Sequence, residues 1–151
     1  MSTITQICTQ IKTLLDTLPA IDQSSLDGFL PPVRTQKVAL VIPPMGMRGN
    51  VGAPVGRKTR LVHRIPCEFW VKVDTGDLAA CMQRGREICL DAAAELQASL
   101  TLGGAVTYLG EGEGSVPFDW AVEDQVLQVN NVAFIRATLF VTVTEWVVLQ
   151  A

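Results

Sequence analysis

His63 is the only histidine in the chain, so any imidazole chemistry must run through it. A Ser-His-Asp or Cys-His arrangement would have to recruit it. It lies between Leu61 and Ile65 on the apolar side of an alternating stretch, which suits a buried, hydrogen-bonded imidazole better than a base facing substrate. Glu111 and Glu113 flank Gly112, and paired carboxylates can exchange protons or hold a cation. Gly-Glu-Gly-Glu-Gly text also reads as a solvated turn, and no further ligand set converges on it. Asp91 and Glu95 are an i, i+4 like-charge pair, read as a solvated helix face. Gly52 to Thr59 approximates a phosphate loop, but Arg57 stands where a glycine should precede the lysine. A strand pattern follows where a helix should open toward phosphate. The expectation is therefore no catalytic residue, no metal ligand, no cofactor and no enzymatic activity. The competing reading is a small α+β enzyme or ligand-binding domain with His63, Glu111 and Glu113 at a pocket.

These residues are set in 151 positions, most simply one domain spanning 1–151. That length suffices to bury roughly 70% of the unfolded surface. The net charge of −3 gives no argument for sequence-specific nucleic-acid binding. No run of eighteen apolar residues predicts a membrane span, and the N-terminus does not read as a signal peptide. Cys8, Cys67, Cys81 and Cys89 form no Cys-x-x-Cys pair and are expected to be free thiols in a reducing compartment. Charge is uneven. Arg34, Lys37, Arg48, Arg57, Lys58, Arg60, Arg64 and Lys72 face one acid, Glu68, whereas acids dominate from Asp74 onward. Either the surface is solvated, or complementary patches meet between neighbouring copies.

Periodicity supplies the elements. Ile4, Ile7, Ile11, Leu14, Leu15 and Leu18 predict a helix over about 3–18, with Thr3 and Gln6 as a capping box and Pro19 as the stop. A polar linker follows. Val38 to Ile42 predicts a buried strand, and 43–58 a long loop with several glycines and prolines. Arg60 to Val73 alternates as a strand, with an edge expected at Pro66. A helix over about 77–100, capped by Asp74 or Thr75, has Gly85 on its apolar stripe for close approach and ends at Gly103-Gly104. Val106 to Leu109 predicts a short strand and 110–124 a second irregular loop. Gln125–Val129 and Val132–Val148 predict a hairpin turning at Asn130-Asn131. The order α-β-β-α-β-β-β predicts an α+β fold, with one mixed or antiparallel sheet of about five strands and two helices on one face.

The last strand carries the strongest signal. One face, Ile135, Ala137, Leu139, Val141, Val143 and Val147, is small and aliphatic. The other has Phe134, Phe140 and Trp146 at six-residue spacing, with Arg136 and threonines between them. An antiparallel sheet with one solvated face should read polar there. Trp70 lies on the non-core side of its own strand and extends the patch. Either the loop from Gly110 to Trp120 or another molecule must cover it.

The layout resembles the tail terminator (tail completion) proteins of tailed bacteriophages. The resemblance runs through the N-terminal amphipathic helix from Thr3-Ile4-Thr5-Gln6-Ile7, the strand ending in prolines, and the long strand Leu61 to Val73. It continues through the helix closing on Ser99-Leu100-Thr101-Leu102-Gly103-Gly104-Ala105-Val106 and the terminal Ala137-Thr138-Leu139-Phe140-Val141-Thr142-Val143-Thr144-Glu145. It implies a homo-oligomeric, hexameric ring that caps the tail tube and joins it to the head connector. It also implies a virion protein of the tail–neck junction, made in the host cytoplasm. The partners implied are further copies of the chain, the tail tube protein, the connector or neck protein and, in a contractile tail, the sheath. Membrane and sequence-specific nucleic acid are not among them, although DNA would pass through the ring. A neighbouring head–tail joining protein is the alternative in the same class. Trp70, Phe134, Arg136, Phe140 and Trp146 are the expected subunit interface. Met45, Met47, Arg48, Arg57, Lys58 and Arg60 are the expected loop contact with the tube or neck.

Overall fold

A computed structural model describes residues 4–26, 28, 38–43, 58–73, 77–99, 101–104, 106, 108–110 and 116–148. The elements in chain order are α1 (Ile4–Leu15), β1 (Ile21–Ser25), β2 (Val38–Val41), β3 (Lys58–Lys72), α2 (Leu78–Gln97), β4 (Tyr108–Leu109), β5 (Phe118–Val122), β6 (Leu127–Val129) and β7 (Val132–Val148). The fold is α+β, as the patterning predicts. One seven-stranded sheet runs β1-β2-β3-β7, and β4, β5 and β6 line up along the far side of β7. Among the described residues only the β1–β2 pair is parallel.

Both helices pack on one sheet face. Ile7, Ile11 and Leu15 of α1 and Ile88, Cys89, Ala92 and Leu96 of α2 share a core with Val38, Leu40, Ile65, Cys67, Phe69, Val71, Ala137, Leu139, Val141 and Val143. These are alternate residues of β2, β3 and β7, so the period-2 pattern becomes one apolar surface. Gly85 sits where α2 crosses β7. A Cβ there would lie 3.0 Å from the Ala137 Cβ and 3.6 Å from a Val122 methyl. Gly85→Val is therefore expected to lift the helix and cost about 2 kcal/mol, read by urea denaturation. Unchanged stability would mean that the helix does not ride on this contact.

Several details depart from the sequence expectation. Ile21–Ser25, expected as linker, is an edge strand. Its Ile-Asp-Gln-Ser-Ser text shows no apolar alternation, and it is held by the parallel pairing with buried β2. The segment expected as a loop over 110–124 contains β5, whose Phe118, Trp120 and Val122 alternate inward against Val141, Leu139 and Ala137. The α2 cap is Asp77, whose carboxylate accepts from the Ala80 amide at 3.1 Å. That helix ends at Gln97. Gly103 and Gly104 lie beyond it in a turn that also holds buried Leu102 at φ 49°. Glu95, expected in a solvated face, accepts from the Thr17 hydroxyl at 3.2 Å and so ties the end of α1 to α2.

Other expectations hold. Asn130 and Asn131 both have positive φ, as a two-residue type I′ hairpin turn requires. The Val73 amide donates to the Ala133 carbonyl, which sets the odd-numbered amides of β3 toward β7. Pro66 thus points its nitrogen the other way, past the end of β2 at Val41, where no ladder bond is forfeited among the described residues. Residues 44–57, including Met45, Met47, Arg48 and Arg57, and Thr3, expected as a cap, lie outside the described residues.

Burial also sets the thiol chemistry. Cys8, Cys67 and Cys89 are buried, Cys81 is half-buried, and all four are free. Desolvation pushes the Cys89 thiol up to about 12, and it raises Cys67 and Cys8. Cys8 and Cys89 add to the rise at Cys67. Iodoacetamide at neutral pH is expected to label Cys81 first in the folded chain and all four after denaturation, as mass spectrometry would show. Rapid labelling of Cys67 would contradict this packing. Unfolded, Cys8, Cys67 and Cys89 ionise near the ordinary value of 9.0, while in the fold these three stay protonated. Stability from these groups is therefore intact below about pH 9 and is lost as pH climbs toward 12.

Candidate interaction face

The sheet face away from the helices is built from the even-numbered residues of β3 and β7. In register they run Lys72 with Phe134, Trp70 with Arg136, Glu68 with Thr138, Pro66 with Phe140, Arg64 with Thr142, Val62 with Thr144 and Arg60 with Trp146. Among the described residues no helix lies over them. The aromatics expected from the sequence share this register, and Trp70 and Phe134 meet across the two strands, with Phe140 and Trp146 spaced further along β7.

Its cover comes from the chain's own arginines. Arg64 lies over the Phe140 ring at 4.0 Å to the centroid, and its Nη2 meets Asp119 of β5 at 3.0 Å. The Arg136 guanidinium stands 5.7 Å from the Trp70 ring centroid. Its Nε donates to Glu123 Oε1 at 3.0 Å, and Nη1 lies 3.8 Å from Glu68. Trp70 in turn donates its indole N–H to Glu68 Oε1 at 3.2 Å and meets Phe134 edge-on, centroids 5.9 Å apart. Cation–π stacking and paired carboxylates thus cover hydrocarbon that would otherwise be wet. The basic and acidic halves of the sequence meet here within one chain, through Arg64 with Asp119.

The five expected interface residues do not share one environment. Phe134, expected on the exposed patch, is only 4% exposed, with Trp70 edge-on to its ring and Lys72 and Leu127 opposite it on the flanking strands. Trp70, Arg136 and Phe140 are half-buried. Trp146, at the far end of β7, is 41% exposed. Of the Gly110–Trp120 segment, expected as a possible cover, residues 111–115 lie outside the described residues. Among its described residues, Phe118–Trp120 join the sheet edge, Asp119 reaches the face at Arg64, and the Gly110 carbonyl accepts from the Thr144 hydroxyl. Of the expected tube-contact residues, Lys58 and Arg60 belong to β3 and to no loop.

The residues singled out for chemistry are placed differently. His63 is buried on the helix side, as expected, and its Nε2 lies 3.1 Å from Glu145 Oε2. Both residues are under 10% exposed. Glu145 occupies the inward register of β7 opposite Leu61, diagonal to His63. The sequence signal for it is a charged residue on the side that reads Val143 and Val147. Glu111 and Glu113 lie outside the described residues. Among the described residues no cluster of three or more His, Cys, Asp or Glu side chains is placed to hold a metal ion, and no helix is long and apolar enough to cross a membrane. An open groove of about 460 Å³ lies between α2 and β5, lined by Ala79, Met82, Gln83, Arg86, Trp120 and Val122. No protein-family model matches the chain, and no curated protein sequence matches it.

Proposed function

We propose that this chain is a structural ring subunit of the tail–neck junction of a tailed bacteriophage, capping the tail tube and joining it to the head connector. The observation that carries the reading is the sheet face with no helix over it among the described residues, where aromatics are spaced along β7 from enclosed Phe134 to Trp146, 41% exposed at the end of the strand. A head-to-tail ring joins one surface of a subunit to a different surface of the next, and such contacts recruit half-covered aromatics flanked by arginine. The long β3–β7 ladder with both helices on the opposite side is also the layout that the resemblance implies. A neighbouring head–tail joining protein would use the same face. The enzymatic alternative relies on His63, whose imidazole is packed against Glu145 inside the helix-side core.

Electron microscopy of the purified chain, alone and mixed with tail tubes, tests the assignment. Rings or length-capped tubes are expected. A chain that stays monomeric and leaves tube length unchanged would overturn it.

A further inference from the structure

The outer edge of β5 has features that no ring contact was invoked to explain. The Glu123 amide donates to the Arg136 carbonyl and the Thr142 amide donates to the Pro117 carbonyl. Odd-numbered β5 residues therefore bond to β7, and Phe118, Trp120 and Val122 turn their N–H and C=O groups outward. Those groups have no hydrogen-bond partner among the described residues, and no strand pairs with that edge. An unpaired edge is a template for another strand.

The same three residues send their side chains toward the helix side, where Trp120 and Val122 form one wall of the groove and Ala79, Met82 and Arg86 of α2 form the other. Trp120 is 41% exposed there. Arg86 has no ion-pair partner among the described residues, in contrast to Arg64 and Arg136. Backbone bonding groups, an apolar wall and a cation with no ion pair among the described residues thus border one groove.

We infer that this edge and groove bind an extended segment of a partner protein by strand addition, with alternate residues of the segment apolar and one of them acidic to meet Arg86. Main-chain hydrogen bonds to Phe118, Trp120 and Val122 hold the segment, and side chains at every second position enter the groove. A second copy pairing β5 to β5 fits less well. The acid it would bring, Asp119, lies on the other sheet face and is already bound to Arg64. The inference is independent of ring formation.

The test is an array of amidated heptapeptides with threonine at alternate positions. The remaining positions carry valine or phenylalanine and one terminal glutamate, glutamine or lysine. Binding to the full chain is read by the change in tryptophan fluorescence. Glutamate peptides are expected to bind best, and methylating alternate peptide amides should abolish binding. Arg86→Glu should weaken them by about tenfold and transfer the preference to the lysine peptides. Hydrogen exchange at the Trp120 and Val122 amides should slow in the complex. Three results would overturn the inference: no member binds, binding is indifferent to both amide methylation and Arg86→Glu, or sedimentation shows a dimer that the peptides dissociate.

Discussion

Trp146→Asp is expected to abolish ring formation while leaving the subunit folded. Trp146 is 41% exposed, so replacing it should change stability by no more than about 1 kcal/mol. A charge at the centre of a subunit contact leaves an unpaired, desolvated carboxylate, which is enough to prevent association. Phe134 is the control on the same strand and the same face. At 4% exposure it belongs to the fold, and Phe134→Ala should cost about 3 kcal/mol before any question of assembly arises. Circular dichroism with urea titration separates the two, and light scattering reads the oligomer. Trp146→Asp rings of normal size would remove this end of β7 from the contact. A Trp146→Asp chain that fails to fold would mean that the tryptophan belongs to the core.

The second large effect is expected at His63 and Glu145. Each is buried with the other as its partner, 3.1 Å apart. Glu145→Ala leaves the imidazole without an acceptor, and His63→Ala leaves a buried carboxylate uncompensated. Either should cost about 3 kcal/mol, most of it the penalty of the stranded group. Replacing both with leucine should recover much of that loss, since two apolar groups of similar volume leave nothing unsatisfied. With His63→Leu and Glu145→Leu as the matching singles, the comparison is a double-mutant cycle in urea. A double variant as unstable as the sum of the singles would show that the two side chains act independently. In the proposed role, His63→Ala lowers stability without removing a chemical step. A turnover lost in that variant at unchanged stability would favour the enzymatic alternative.

What was legible in the sequence follows from how local the signals are. β7 alternates over seventeen residues, and its bounds, Val132–Val148, match the pattern. The Asn130-Asn131 turn, the all-buried β2 and the close approach at Gly85 were readable for the same reason: one short stretch holds all the information. β1 was hidden because a polar five-residue edge strand owes its existence to β2, distant in sequence. β5 was hidden by the glycine-rich text before it, although Phe118, Trp120 and Val122 do alternate. The cover over the aromatics required knowing that Arg64 and Phe140 are diagonal neighbours, two residues apart in register across the β3–β7 ladder. That register is a long-range fact, and so is the meeting of His63 with Glu145. The sequence showed that an aromatic row existed, but only three-dimensional pairing shows that Phe134 is enclosed and Trp146 is not.

The ladder architecture also bears on how the chain comes to be folded. β7 bonds to β3 on one side and to β4, β5 and β6 on the other, and it follows all of them in sequence. While the chain is still on the ribosome, β3 has lost its main partner, and the apolar sides of both helices have only part of a platform to close upon. The sheet can zip up only after β7 has cleared the exit tunnel. Most of its pairings then join residues far apart along the chain, which favours slow closure. A nascent chain stalled before β7 would display unsatisfied strand edges and the greasy side of α2, making it a natural client for chaperones.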